Sequence, residues 1–231
     1  MFFPFWDPTF LMVLPGLALA MYAQWKVRST YEKMSKVPAV CGRSGRQVAE
    51  ALLQGNGISG IQIEEVGGKL SDNFDPRSKT VHLSSDIFSG TSIASIAIAA
   101  HEIGHVIQHH KGYAPIALRD AIVPVASIGS WAAFPLFFLG LFFHSQVGLT
   151  FMNLGIALFG VALLFQVVTL PTEFDASKRA LVELESRGIL APAEIPMARQ
   201  VLSAAALTYV AATATAALQL LRLVLIRNSR N

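Results

Sequence analysis

His101-Glu102-Ile103-Gly104-His105 forms an H-E-x-x-H pattern inside the run SIASIAIAAHEIGHVIQHHK. In a helix, residues i and i+4 share one face and lie about 6 Å apart along the axis. Two imidazoles at that spacing can hold one Zn²⁺, and the glutamate beside the first of them is placed to take a proton from the attacking water. Two histidines and a glutamate on an otherwise apolar helix are costly to bury without such a use. A catalytic zinc takes three protein ligands and keeps one position open, so a third ligand has to come from another part of the chain.

The remaining candidates are few. His109 is eight residues from His101, about 12 Å along the axis, and cannot reach the same ion on a straight helix. A metzincin carries Gly at position 108 and His at position 111; this chain has Gln108 and Lys111, which excludes that class. His82 and His110 have no motif behind them, and His144 falls on the far side of the membrane in the orientation argued below. A carboxylate is the better source. Thr172-Glu173-Phe174-Asp175-Ala176-Ser177 is expected to open a second helix, and Glu173 would complete a His₂Glu site. The plainer reading of Glu173 is a first-turn acid favoured by the helix dipole. Asp175 points about 200° round the helix from it and stays open as the rival ligand. Its other reading is an outer hydrogen-bond partner or an ion pair with Lys178 or Arg179.

The elements that must hold these residues are largely apolar. Of 231 residues, 53% are hydrophobic and 14% charged, against about 25% charged in soluble domains. That balance argues against disorder and against a wholly soluble enzyme. A net charge of +3 is too small to argue for nucleic acid, and none is expected as a partner. The single cysteine, Cys41, rules out a disulfide framework and a cysteine-clustered zinc site.

A membrane-spanning helix needs about 20 mostly apolar residues. Residues 8–25 qualify; no basic stretch precedes them and no small-x-small site follows, so they read as an uncleaved anchor and not a signal peptide. The uncharged runs 121–143 and 147–170 are separated only by His144, Ser145 and Gln146, and read as a transmembrane hairpin. Residues 203–221 are diluted by alanine, serine and threonine; they either span or pack on other helices through small residues.

Lys26, Arg28, Lys33, Lys36, Arg43 and Arg46 follow the first run, and Lys178, Arg179, Arg187 and Arg199 follow the third. The positive-inside rule therefore places 26–120 and 171–202 in the cytoplasm and the hairpin tip outside. If 203–221 crosses, Arg227 and Arg230 lie outside, against the rule. The expected organisation is an anchor (1–25), a cytoplasmic segment with the motif helix (26–120), the hairpin (121–170), a second catalytic helix region with the Glu ligand (171–202) and a C-terminal helix (203–231).

Within the cytoplasmic segment, Val48, Ala49, Leu52 and Leu53 form a helical stripe over 43–55 that Gly55-Asn56-Gly57 ends. Residues 58–66 and 79–84 read as strands around a polar loop at 71–77. The motif helix runs over about 92–111, capped by Thr91 or Ser92 and ended by Gly112.

The stretch LSDNFDPRSKTVHLSSDIFSGTSIASIAIAAHEIGHVIQHHKGYAPIALR, followed by PTEFDASKRAL and ALTYVAA, resembles the YugP-like family of neutral zinc metallopeptidases over most of the chain. The layout is similar to that of the HtpX-like membrane zinc proteases, which place H-E-x-x-H before a transmembrane hairpin and a glutamate ligand after it. The resemblance implies Glu173 as third ligand, and pairing of extended substrate with the strand at 80–84. In the wider group an aspartate follows the ligand glutamate by four residues; here that position is Ser177, so the usual outer carboxylate is missing or replaced. The family's polar loop reads Asp-His-Tyr-Asp-Pro, whereas this chain has Asp72-Asn73-Phe74-Asp75-Pro76 and no histidine there.

The expected protein is mainly α, a multi-pass membrane protein with a small α+β zincin-like catalytic unit. Its expected function is zinc-dependent endopeptidase action on membrane or membrane-associated proteins at the cytoplasmic face of a cell membrane, bacterial in setting. One Zn²⁺ is expected on His101, His105 and Glu173, with Glu102 as general base. The expected partners are a protein or peptide substrate and membrane lipid; a second copy or another membrane protein is left open. Tyr209, His82 and His109 are candidate donors to the oxyanion, each with a plainer reading as a packing aromatic, a strand side chain and an exposed helix end. The alternative from another class is a non-catalytic membrane scaffold or adaptor that retains a structural zinc. An intact Glu102 argues against it, because a structural site needs no base. A transporter has little support, since the spans carry no internal charge.

Overall fold

The structure, a computed structural model, describes residues 8–143 and 145–230. His144 and the outermost ends of segments 1–25 and 203–231 lie outside the described residues. Two compact units emerge. One comprises Gln24–Ala117 and Pro171–Leu207; the other comprises the described part of Met1–Ala23, with Leu118–Leu170 and Thr208–Asn231 up to residue 230.

The first of these units carries the motif. Its helix α2 (Gly45–Gly55) follows the final part of α1 (Leu14–Met34). Helix α2 starts two residues later than its apolar stripe suggests, because Ser44 and Gln47 form a capping box: the serine oxygen satisfies the Gln47 N–H while the glutamine side chain returns to the cap. Val48, Ala49, Leu52 and Leu53 are all buried. Strand β1 is shorter than expected, Gln62–Val66, because Gly57 and Gly60 both adopt positive φ and keep 58–61 out of extended pairing.

The polar loop expected at 71–77 contains a strand, β2 (Asn73–Asp75), which pairs antiparallel with β3 (Thr80–Ser84). Its three residues carry no alternation that would mark a strand. The pairing is set by the turn after it, where the Asp75 carboxylate accepts from Arg77 N and Ser78 Oγ and Lys79 takes φ 57°. Strand β3 also pairs in parallel with β1, so the sheet order is β1-β3-β2. Both edges of β3 are thus occupied, and the pairing of substrate with 80–84 is overturned: an extended peptide needs an edge strand. A short helix α3 (Ser85–Phe88), which no pattern marks, then leads to α4 (Ile93–His110).

Helix α4 agrees with its expected bounds to within a residue. Ser92 caps it by accepting from Ser95 N at 3.1 Å, and Gly112 turns the chain at φ 62°. Its flanks pack into a core with Leu52, Val81, Leu83, Ile87 and Leu184, each fully buried residue of this kind contributing about 1.5–3 kcal/mol. At Gly104 its backbone meets that of α6: a Cβ there would stand 2.4 Å from the Ala176 carbonyl oxygen.

The second helix expected to open at Thr172 is not separate. Helix α6 runs unbroken from Gln146 to Ser186 with Pro171 inside it, so Glu173 lies mid-helix and the first-turn dipole reading fails. A proline in an apolar helix of this kind is tolerated where neighbouring groups satisfy the released backbone.

The other unit holds the apolar stretches of α1, α5 (Ala114–Phe142), α6 and α7 (Ile195–Asn228), preceded by a 3₁₀ turn at Pro8–Met12. These four helices are long and apolar enough to cross a membrane, the fourth among them. Glycines let backbones approach: Gly16 stands against Thr215, and a Cβ on Gly129 would lie 2.7 Å from Leu158 O. The end of α7 is tied to its neighbours. Arg230 donates to Gly140 O and Leu141 O at 3.0 and 2.9 Å, Arg227 to Asn153 Oδ1 at 3.0 Å, and Arg222 to Thr9 Oγ1 at 3.3 Å.

Candidate metal centre

Helix α4 brings His101 and His105 to one face, their rings 4.8 Å apart and nearly perpendicular. The extension of α6 beyond its apolar run brings Glu173 to that face. Glu173 Oε2 lies 3.2 Å from His101 Nε2 and 3.6 Å from His105 Nε2. The three ligand atoms fall within 4.8 Å of one another, and among the described residues this is the group of histidines and carboxylates that could hold a metal. His82, His109, His110 and Asp175 do not join it.

Each imidazole is held from behind. His101 Nδ1 lies 3.2 Å from Ser177 Oγ, and His105 Nδ1 lies 3.0 Å from Gln108 Oε1. Both rings therefore turn Nε2 toward Glu173. The donor set tests well against zinc: two imidazole nitrogens and one carboxylate oxygen converge, and both far ring nitrogens have the outer partners that zinc-binding histidines use. The outer carboxylate that Ser177 displaces from the resembled pattern is thus replaced by a hydroxyl on His101 Nδ1. Asp175, the rival ligand, points elsewhere: it accepts from Gln108 Nε2 at 2.9 Å and from Arg179 Nε.

Glu102 is buried beside this group. Burial pushes its carboxyl above the usual range, the two histidines pull it back, and the charges of Asp72 and Glu173 add to the rise. For Glu173, burial also raises the carboxyl. Hydrogen bonds to His101 and His105 outweigh that and hold it well below the usual range. The two carboxylates thus differ in proton affinity although both are buried.

The geometry adds two residues that the motifs do not mark. Gln108 is fully buried; its signal in the sequence was only a lone amide three residues after His105. Asp72 opens the polar loop compared with the family's, but no role for it is legible in the sequence; its carboxylate accepts from Ser84 N and Ser84 Oγ at the end of β3, at 2.8 and 3.1 Å, and burial raises it. His82 sits on β3 with Nδ1 3.9 Å from Glu64 Oε2. His109 is not a bare helix end: its ring meets Phe74 of β2 edge-on at 5.4 Å. Tyr209 lies on α7, where its carbonyl accepts from Thr213 Oγ1.

A family model described as "Putative neutral zinc metallopeptidase" matches residues 9–228. A protein of Bacillus subtilis (strain 168), named "Putative membrane protease YugP", is 43% identical over 215 residues, covering 93% of this chain and 94% of its own. No solved structure matches with significance.

Proposed function

The chain belongs to the neutral zinc metallopeptidase family, and from that premise we propose that it hydrolyses peptide bonds of membrane or membrane-associated proteins. The observation that carries this reading is the convergence of His101, His105 and Glu173 on one point with Glu102 buried beside them. His101 and His105 through Nε2, and Glu173 through a carboxylate oxygen, are the residues that would hold one zinc ion. When bound, zinc supplies Lewis-acid polarisation of the scissile carbonyl and acidifies water.

The remaining steps belong to the chain. Glu102 accepts the proton of the attacking water on its carboxylate and passes it to the leaving amine. Strand β2 is an outer strand of the sheet and packs on α4 through Phe74 and His109. This supports docking of an extended substrate along β2, by main-chain pairing. The basic residues between Lys26 and Arg46 and the uncharged run of the hairpin support a catalytic unit on the cytoplasmic side of the cell membrane.

The test is zinc content measured together with cleavage of a susceptible membrane protein in detergent. Glu102→Gln is expected to keep zinc and lose activity, since a general base contributes roughly 10²–10⁴-fold. His105→Ala is expected to lose both. An adaptor with a structural zinc gives the opposite pattern, with Glu102→Gln harmless. Equal cleavage by wild type and Glu102→Gln would refute the protease reading.

A further inference from the structure

Gln108 touches both helices that bear the candidate ligands. Its Oε1 faces His105 Nδ1 at 3.0 Å, while its Nε2 donates to Thr172 O at 2.7 Å and to Asp175 Oδ2 at 2.9 Å. The amide orientation follows from chemistry. One end of Gln108 meets two acceptors, a carbonyl and a carboxylate, and only an NH₂ group can serve both. The other end is therefore the carbonyl oxygen, an acceptor only. His105 Nδ1 must then carry the proton, which leaves Nε2 with its lone pair directed at Glu173.

We propose that Gln108, backed by Asp175, is a positioning residue: it fixes the tautomer of His105 and ties α4 to α6 one residue before Glu173. The proposal rests on the metal reading above and assigns the support behind it. Zinc-binding histidines are commonly backed by a carboxylate, a backbone carbonyl or water. Here the carboxylate stands one step further out. Asp175 polarises the Gln108 amide, and its charge is answered by Arg179, whose guanidinium lies over the Tyr113 ring at 5.5 Å. The arrangement keeps a formal negative charge off His105 while retaining an obligatory acceptor on Nδ1. Because Thr172 precedes Glu173, the same amide limits how far Glu173 can move from the histidine pair.

The experiment uses the full chain purified in detergent. Zinc affinity is read by competition with a chromophoric chelator, and ligand geometry by the visible spectrum after Co²⁺ substitution. Gln108→Leu removes the acceptor and the tie, and is expected to weaken zinc roughly 10–100-fold and to change the Co²⁺ spectrum. Gln108→Glu keeps an acceptor for Nδ1 but loses the donor to Asp175. Adding Asp175→Asn to it restores a donor–acceptor pair, and the double variant is expected to bind zinc more tightly than Gln108→Glu alone. If Gln108→Leu does not fold, Asp175→Asn by itself is expected to weaken zinc and shift the same spectrum. Wild-type zinc affinity and spectrum in a folded Gln108→Leu protein, or in Asp175→Asn where the former cannot be made, would overturn the proposal. Failure of the metal reading looks different: His105→Ala would then bind zinc as wild type does.

Discussion

Ser177 shows how little chemistry at one position is needed to orient a ligand. Its hydroxyl meets His101 Nδ1 at 3.2 Å, at the position where the wider group that the chain resembles carries an aspartate. A neutral hydroxyl can accept a hydrogen bond from Nδ1–H as a carboxylate would, without placing another negative charge near Glu102 and Glu173. Ser177→Ala leaves that ring nitrogen without this partner, and zinc affinity is expected to fall about tenfold, the low end of the range for an outer partner. Chelator competition measures it; an unchanged affinity would show that the ring is oriented by packing alone. Asp175 had the opposite fate. As a rival ligand it was plausible by type, but its carboxylate is already engaged by Gln108 and Arg179.

At the scale of elements, the site depends on the close approach of α4 and α6. Gly104 stands where a Cβ would lie 2.4 Å from Ala176 O and 3.0 Å from its carbonyl carbon. Ala176 sits between Glu173 and Ser177 on α6, so any separation of the helices withdraws both from the histidines. Gly104→Ala is expected to cost about 1–3 kcal/mol as an overpacking change, lowering the thermal midpoint in detergent by roughly 2–4 °C per kcal/mol. It should also reduce retained zinc. Gly160→Ala, on the same α6 but with open space around its Cβ position, is the control: it should keep its zinc, and its midpoint should not fall, since alanine is favoured over glycine inside a helix by about 0.5–1 kcal/mol. The period of the apolar residues made α2 and α4 legible. The break expected before Glu173 was not real, because a proline in sequence does not say whether the helix ends or only loses a hydrogen bond.

At the scale of the whole molecule, the arginines near the C-terminus bear on topology. Arg230 donates to Gly140 O and Leu141 O, carbonyls of the last turn of α5 that have no partner further along the helix. A cation there is favoured by the helix dipole, which would offset the positive-inside penalty that the proposed orientation places on Arg227 and Arg230. The contact also puts the end of α7 beside the end of α5, and the proposed orientation would expose both on the outer face. In a Cys41→Ser background, cysteines introduced at Ser145 and Ser229 are expected to react with an impermeant maleimide added to intact cells. A cysteine at Ser71 should react only after permeabilisation. Reaction of the first two only after permeabilisation would reverse the orientation.

The sequence by itself determined what local spacing can encode. The i, i+4 histidines with Glu102 between them, a helix cap at Thr91 or Ser92, the apolar stripe of α2 and the four long apolar runs are all properties of neighbouring residues. What only the tertiary structure decided is carried by partners distant in the chain. His101 and Glu173 are 72 residues apart, His101 and Ser177 76, and Gln108 and Thr172 64. The same holds for β2, whose three residues have no strand pattern and pair only because a side-chain-stabilised turn returns the chain to β3. Helical periodicity places a side chain on a face, but which carboxylate reaches the histidines and which stands behind them depends on how closely two backbones pack, and that closeness is set by Gly104 against Ala176.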